Sequence, residues 1–413
     1  MAEAARSLTR GFFEGTVDTS ILFPYPRISD EEDARVSAFL AELTAYLERE
    51  VDREWIDEHE QVPQTVIDDL RRMGLFSISI PAEYGGMGLS QSAYCRVFEA
   101  VTAYDVGLGI ILGVHLSIGI KGILLAGTDA QKRLYLPKAA TGEWFASFAL
   151  TEPGAGSDAL RGMGTTARRA GDSWVLNGSK TFITNAPYAD VFLIYARTIE
   201  GDAPGAIQPF IVERGTPGLS TGPAMKKMGM RGSPTGEVFL DDVRVPSDQL
   251  LGGGVRERDH VKASLAVERG GLSVMSYGIA ERCFEIARDY ALERRQFGQP
   301  IASFQLVQQR LARMYVAVSN CRRIVYADWL AGRTLKESIA DVCAGKLYCA
   351  EMGTYVAFEA IHILAGNGYM EEYVVERLAR DAKLIELGGG TTEMQILTIA
   401  RELLLDRDGG SAT

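Results

Sequence analysis

The stretch Ser147–Asp158, S-F-A-L-T-E-P-G-A-G-S-D, holds the residue types best suited to grip a ligand. An apolar run from Trp144 to Leu150 predicts a buried strand. Thr151 and Glu152 follow, and Pro153 breaks the strand. Gly154-Ala155-Gly156 lets backbone N–H groups approach a ligand closely, and Ser157 and Asp158 supply polar side chains. Together these predict a cradle for a cofactor or an anion; the alternative is an ordinary Gly/Pro turn between strands. Gly154-x-Gly156-x-x-Ala159 also fits the dinucleotide fingerprint G-x-G-x-x-G/A. That fingerprint needs a helix to open at once, with a pyrophosphate on its N-terminus. The next residues, Leu160-Arg161-Gly162-Met163-Gly164, are poor helix formers, which argues against a nicotinamide site.

A chain of 413 residues can bury the cores of two or three domains. Its 46% apolar and 23% charged content is that of a globular protein. With 54 acidic against 43 basic residues the net charge is −11, which argues against nucleic acid as a partner. The five cysteines are odd in number and include no C-x-x-C pair, so reduced core thiols are expected. Four scattered histidines lack ligand spacing, and no metal is expected. No secretory pattern and no run of eighteen apolar residues is found, so neither a signal peptide nor a membrane span is expected and a cytoplasmic location follows.

Residues 1–28 form an extension ending in Leu22-Phe23-Pro24-Tyr25-Pro26, where paired prolines prevent helix. Residues 29–143 read as an all-helical domain, opened by the capping-box pattern Ser29-x-x-Glu32 and containing a second at Thr128-x-x-Gln131. Residues 144–260 read as a β domain, a barrel or sandwich, with short strands at Trp174–Leu176, Thr181–Thr184, Val191–Ala196, Pro209–Glu213 and Glu237–Leu240. From residue 261 to 413 apolar stripes at steps of three and four return, as in Leu272, Met275, Ile279 and Cys283. Thr334-x-x-Glu337 caps a third long helix, and four long helices predict a bundle. The fold class is α+β: helical domain, β domain, helical bundle.

F-A-L-T-E-P-G-A-G-S-D and Lys180-Thr181-Phe182-Ile183-Thr184-Asn185 closely resemble motifs of the acyl-CoA dehydrogenase family, and the resemblance runs on to Arg401. The fold order above is that family's architecture. The resemblance implies FAD, an acyl-CoA substrate, an electron-transfer flavoprotein as acceptor and a homotetramer. It implies loss of a proton from Cα and a hydride from Cβ of a thioester. An acyl-carrier-protein thioester, an oxidase, and a flavin-binding relative without turnover are the alternatives.

Much of the family carries its base as a glutamate just before the G-T of the last loop, where this chain has Gly389 in Leu387-Gly388-Gly389-Gly390-Thr391. A minority places the base where Glu268 stands, in Leu265-Ala266-Val267-Glu268-Arg269-Gly270. Glu268 is therefore the expected base, and the Gly389 N–H the expected donor to the thioester oxygen. The alternative is a surface pair of Glu268 with Arg269 or Lys262; adjacent helical residues do not share a face, which disfavours Arg269. The resemblance implies Leu150, Thr151, Gly156, Ser157, Phe182 and Thr184 around the isoalloxazine. It implies Arg294, Phe297 and Gln305 on the pyrophosphate and adenine side, with His362, Gly366, Thr391 and Glu393 reaching in from a neighbouring subunit. Coenzyme A is expected near Ser157, Arg269 and Arg401, and the acyl slot along His115–Gly119, with Gly119 making it deep.

Overall fold

The computed structural model describes residue 15 and residues 28–201, 203–254, 257–330 and 339–404. The Leu22–Pro26 motif and the Thr334-x-x-Glu337 cap lie outside the described residues.

The chain begins with helices α1 (Asp30–Glu50), α2 (Arg53–His59), α3 (Gln64–Arg72), α4 (Gln91–Tyr104), α5 (Val106–Gly113), α6 (Ile120–Ala126) and α7 (Asp129–Ala140). A π-helical turn, Val114–Gly119, joins α5 to α6. Ser29 caps α1 by accepting the Glu32 N–H at 3.1 Å. Only this half of the expected capping box forms, because the Glu32 carboxylate instead accepts the Ser90 N–H at 2.7 Å and ties α1 to the start of α4. The box at Thr128 and Gln131 is complete. Gln131 also donates to the carbonyls of Asp248 and Leu250, at 2.7 and 2.9 Å, which joins the helical unit to the sheet unit.

The middle unit is one seven-stranded sheet in the order β1-β4-β2-β3-β7-β6, with β5 pairing β4. Its strands are β1 (Ala146–Ala149), β2 (Thr166–Ala170), β3 (Ser173–Thr184), β4 (Val191–Glu200), β5 (Ala203–Glu213), β6 (Leu219–Thr221) and β7 (Thr235–Pro246). The two short strands expected at 174–176 and 181–184 are one strand, β3. Its pairing with β7 slips between Lys180 and Ile183, and there Phe182 takes a positive φ of 57°. The bulge turns Phe182 outward, 69% exposed, while Thr181 and Ile183 stay buried.

The rest is helical: α8 (Glu257–Glu293), a small hairpin of β8 (Arg295–Gln296) and β9 (Gln299–Pro300), α9 (Gln305–Leu330), α10 (Ile339–Leu364), α11 (Gly366–Tyr369), α12 (Val375–Leu387) and α13 (Thr392–Leu404). Leu272, Met275, Ile279 and Cys283 are buried, as their spacing on α8 predicts. All five cysteines are free and buried. The run Val106–Ala126 is long and apolar enough by composition to cross a membrane, although His115, Ser117 and Lys121 interrupt it and most of it is buried inside the protein. It is largely apolar because α4, α8 and β1 cover it, with Leu108, Leu112, Leu116, Ile118 and Ile123 buried. The basic loop Lys226–Gly232 is a joint rather than a free charged surface. Lys227 donates to the Ser233 carbonyl, the Met230 N–H to the Asp381 carboxylate, and Arg231 lies 3.5 Å from Asp57 on α2.

Candidate active site

Two successive left-handed residues, Gly389 (φ 63°) and Gly390 (φ 88°), turn the chain between α12 and α13, a conformation that glycine adopts without strain. The turn faces one side of α8. A Cβ at Gly389 would lie 2.5 Å from Leu272 Cδ1 and 3.4 Å from the Glu268 carboxyl carbon. The carboxylate on α8 therefore stands against the point where a side chain at 389 would begin. Among the described residues Glu268 has no hydrogen bond or ion pair, and the Gly389 N–H bonds to nothing. Burial pushes the Glu268 carboxyl up to about 7, against the opposing fields of Arg269 and Lys346. No ion pair forms with Arg269, whose Nε instead donates to the Gly389 carbonyl at 3.4 Å; the Lys262 side chain lies outside the described residues.

Lys346 and Gln395 hold this turn, and sequence reasoning passed over both. Lys346 is fully buried on α10 and donates to the Gly390 carbonyl at 2.8 Å. Gln395 Nε2 donates to the carbonyls of Gly389 and Gly390 at 3.3 and 2.8 Å. Burial brings the Lys346 ammonium down to about 8, and Glu268 is the strongest field opposing that fall. The available signal was a lysine inside the apolar run Val342–Ala350, since a lysine is almost never fully buried unless paired.

A second set of expected residues lies on the rim of the sheet. Leu150 is buried, Thr151 and Thr184 are half-buried, and Gly156, Ser157 and Phe182 are exposed. The Thr181 N–H donates to the Thr151 carbonyl at 3.0 Å, and Ser147 Oγ to the Thr184 carbonyl at 2.7 Å, so β1, the glycine turn and the end of β3 form one surface. Beneath it the Lys180 ammonium meets Glu152 Oε1 at 2.8 Å, both groups buried. Glu152 also accepts the N–H groups of Gly164 and Thr165, at 2.6 and 2.9 Å. Burial would raise Glu152, but these bonds hold it below the usual carboxylate range; burial brings Lys180 down to about 8.

This rim fits a flat cofactor. A Cβ at Gly154 or Gly156 would meet no protein atom within 4 Å, and neither glycine has a positive φ. Neither packing nor backbone strain calls for glycine there, which leaves close approach of a ligand. The Phe182 side chain is turned outward, 69% exposed.

The third set gathers elsewhere. Phe297, 92% exposed, stands on the β8–β9 hairpin with its ring 5.9 Å from that of Phe304, next to Gln305. His362 lies 3.5 Å from Glu359, which also binds Arg310 at 2.5 Å. Asn367, beside Gly366, donates to the Tyr290 hydroxyl at 2.8 Å. Arg294, Phe297, Gln305, His362 and Gly366 thus share one end of the bundle. Glu268 lies 25 residues before the end of α8, roughly 38 Å away at 1.5 Å per residue. Thr391 and Glu393 follow Gly389 in the last loop, whereas Arg294, Phe297 and Gln305 stand apart with His362 and Gly366. The physical cause is α8, a continuous helix that separates the two sets.

Arg269 borders the Gly389 turn, and Ser157 and Arg401 are exposed. A Cβ at Gly119 would lie 2.6 Å from the Ala146 Cβ. Glycine there allows the π-helical turn to pack on β1, which is a packing requirement and not the opening of a slot. His115 is a buried bridge, with Nε2 3.2 Å from the Ala139 carbonyl and Nδ1 accepting the Ala146 N–H at 3.2 Å.

Three family models match in succession: the acyl-CoA dehydrogenase N-terminal domain over residues 33–143, the middle domain over 147–243 and the C-terminal domain over 259–404. The bovine (Bos taurus) mitochondrial very long-chain specific acyl-CoA dehydrogenase is 38% identical over 421 residues, covering 98% of this chain; the chain spans 63% of that relative's length. The butyryl-CoA dehydrogenase of Megasphaera elsdenii superposes with a TM-score of 0.84 at 32% identity, over 92% of this chain and 99% of that one. An acyl-CoA dehydrogenase complexed with FAD from Bacillus anthracis gives a TM-score of 0.83 at 32% identity, over 94% of this chain and 70% of that one.

Proposed function

Since the chain belongs to the acyl-CoA dehydrogenase family, we propose that it dehydrogenates an acyl-CoA thioester between Cα and Cβ, with FAD as cofactor and an electron-transfer flavoprotein taking the electrons onward. The observation that carries this reading is the unpartnered Glu268 carboxyl standing 3.4 Å from the place of a Gly389 Cβ. It weighs against the alternative of a relative without turnover, which rested on the bare glycine at 389.

FAD, when bound along Leu150–Ser157 and Phe182–Thr184, supplies the acceptor for the β-hydride. The Gly389 N–H donates to the thioester oxygen, which makes the Cα proton more acidic. Glu268 takes that proton. A carboxylate raised to about 7 is a stronger base than an ordinary one, so the two acidities approach each other. Lys346 and Gln395 hold the carbonyls of the turn and so aim its N–H. Arg294, Phe297 and Gln305 stand roughly 38 Å along α8 from Glu268, which favours a second copy supplying them to the cofactor, so that the working enzyme is at least a dimer.

Anaerobic titration of the purified yellow protein with acyl-CoA thioesters, followed by loss of oxidised flavin absorbance, tests the reading. Bleaching by one acyl class is expected; a flavoprotein bleached by none overturns it. Since Glu268 must be ionised to act, kcat/KM should rise with pH and level off above about 7. Lys346→Met removes a positive field that lowers the Glu268 pKa, so the same limb should move to higher pH. It also frees the turn, and turnover should fall roughly 10- to 100-fold, about 1.4 to 2.7 kcal/mol of transition-state stabilisation. A merely structural lysine would leave the pH limb in place.

A further inference from the structure

We propose that Asp381 and Arg380 of α12 are positioning residues that set the gap between the flavin rim and the Gly389 turn, by gripping the backbone of Met228 and Met230. The inference rests on the dehydrogenase reading above, in which the thioester lies at that turn and its Cβ faces the rim. Asp381 is buried, at 3% exposure, and its Oδ1 accepts the Met230 N–H. Arg380 Nη1 donates to the Met228 carbonyl at 3.0 Å. The same guanidinium donates to both carboxylate oxygens of Asp57 on α2, at 3.1 and 2.7 Å, and to Glu376 one turn back, at 2.8 and 2.9 Å. Its rigid planar fork is thereby fixed in one arrangement. Between the two grips stands Gly229, where a Cβ would lie 2.6 Å from both the Arg380 carbonyl carbon and Asp381 Oδ1. Gly229 has no positive φ, so close approach to α12, and not backbone strain, calls for glycine. Met230 holds a left-handed φ of 49°. A residue with a side chain keeps such a conformation only where its surroundings over-determine it, and the bond to Asp381 is one such constraint.

The joint bears on the chemistry through what lies at its two ends. On one side the loop runs into β7, whose first residue, Thr235, pairs with Thr184 of the rim. The Pro234 carbonyl also accepts the Asn185 N–H at 2.7 Å. On the other side α12 continues six residues past Asp381, roughly 9 Å, to Leu387 and the Gly388–Gly390 turn. The bonds to the carbonyls of that turn come from Lys346 on α10 and Gln395 on α13, so they tie it to the bundle that also carries Glu268. The grip on Met228 and Met230 ties the same helix to the sheet. Loosening it leaves the Gly389 N–H against Glu268 and lets both drift from the rim. In the reaction Glu268 takes the Cα proton, the Cβ hydride leaves with its electron pair for the FAD, and a Cα–Cβ double bond forms. The proton transfer depends on the bundle, whereas the hydride transfer depends on the spacing between bundle and sheet. A misplacement of about 1 Å at a distance from the chemistry can cost roughly 100-fold.

The test uses Asp381→Leu, which removes the acceptor, and Asp381→Asn, which keeps one. Gly229→Ala pushes the loop off α12 from the other side without removing a hydrogen-bonding group. Before any thioester is added, hydrogen exchange read by mass spectrometry should show the Lys226–Ser233 segment opened in Asp381→Leu and Gly229→Ala. The Gly388–Gly390 turn should stay as protected as in the parent. Rapid mixing of the FAD-loaded proteins with a thioester that bleaches the parent should show flavin reduction slowed roughly 10- to 100-fold in these two variants, and close to the parent rate in Asp381→Asn. The rate effect of deuterium at Cβ should grow and that of deuterium at Cα should shrink, because hydride transfer alone has become harder. Flavin reduction at the parent rate in Asp381→Leu or Gly229→Ala, or slowing with both isotope effects unmoved, would overturn the inference while leaving the dehydrogenase reading intact. If Asp381→Leu does not fold, Gly229→Ala and Asp57→Asn, which weakens the Arg380 grip from α2, decide by the same readouts. If no thioester bleaches the parent flavin, the dehydrogenase reading falls and this one with it.

Discussion

Glu268→Gln should lower turnover roughly 10²- to 10⁴-fold, the usual worth of a positioned general base. The flavin absorbance and thermal unfolding of the variant should match those of the parent, because among the described residues the carboxylate makes no hydrogen bond or ion pair whose loss would disturb the fold. Rapid-mixing measurement of flavin bleaching separates the chemical step from product release. The rising pH limb, set by a carboxyl at about 7, should vanish with the carboxylate. Turnover that survives unchanged removes Glu268 from the mechanism. Moving the base to the last loop by Gly389→Glu is expected to fail alone. The residue would take a left-handed φ of 63° and its Cβ would meet Leu272 Cδ1 at 2.5 Å. Combining Gly389→Glu with Leu272→Ala and Glu268→Gly should recover part of the activity that Glu268→Gly loses.

Lys180→Met should be the most damaging single change to the sheet. Lys180 is fully buried and Glu152 nearly so, at 8% exposure, and removing one partner strands the other charge. Breaking such a pair typically costs about 3–5 kcal/mol. Glu152 also accepts the N–H groups of Gly164 and Thr165, so the damage should spread to the glycine turn above it. Calorimetric unfolding with and without FAD should show a lowered transition and weaker flavin retention. An unchanged transition would mean that the pair is not what holds this rim. Glu152 is held below its ordinary 4.5, so its contribution is present above that pH and is lost as pH falls through the lowered folded value. The flavin loss expected of the parent in acid should therefore already be present in Glu152→Gln at neutral pH.

Much of the molecule was legible in the residues. The stripe Leu272, Met275, Ile279, Cys283 announced α8 and its buried face, and the capping pattern at Thr128 and Gln131 marked the start of α7. Pro153 and the glycines after it placed the cradle where the sheet offers an open rim. These signals are local: helix period, cap chemistry and backbone freedom act over a few residues and leave their mark in sequence order.

Other features came only with tertiary packing. That Glu268 and Gly389 meet, though 121 positions apart, depends on α8 and α12 lying side by side. Spacing alone could not separate Thr391 and Glu393 from His362 and Gly366, because the length of one unbroken helix decides which stand together. Nor could it show that the glycine at 119 answers a backbone contact with β1. The same holds for Lys346, Lys121 and Lys180, which read as ordinary charges in the sequence. Burial and partners decide what each does: Lys346 braces a turn, Lys180 meets a carboxylate, and Lys121, half-buried, has no ion pair among the described residues. The cost of removing a charge from water depends on the whole surrounding volume, which the fold alone assembles.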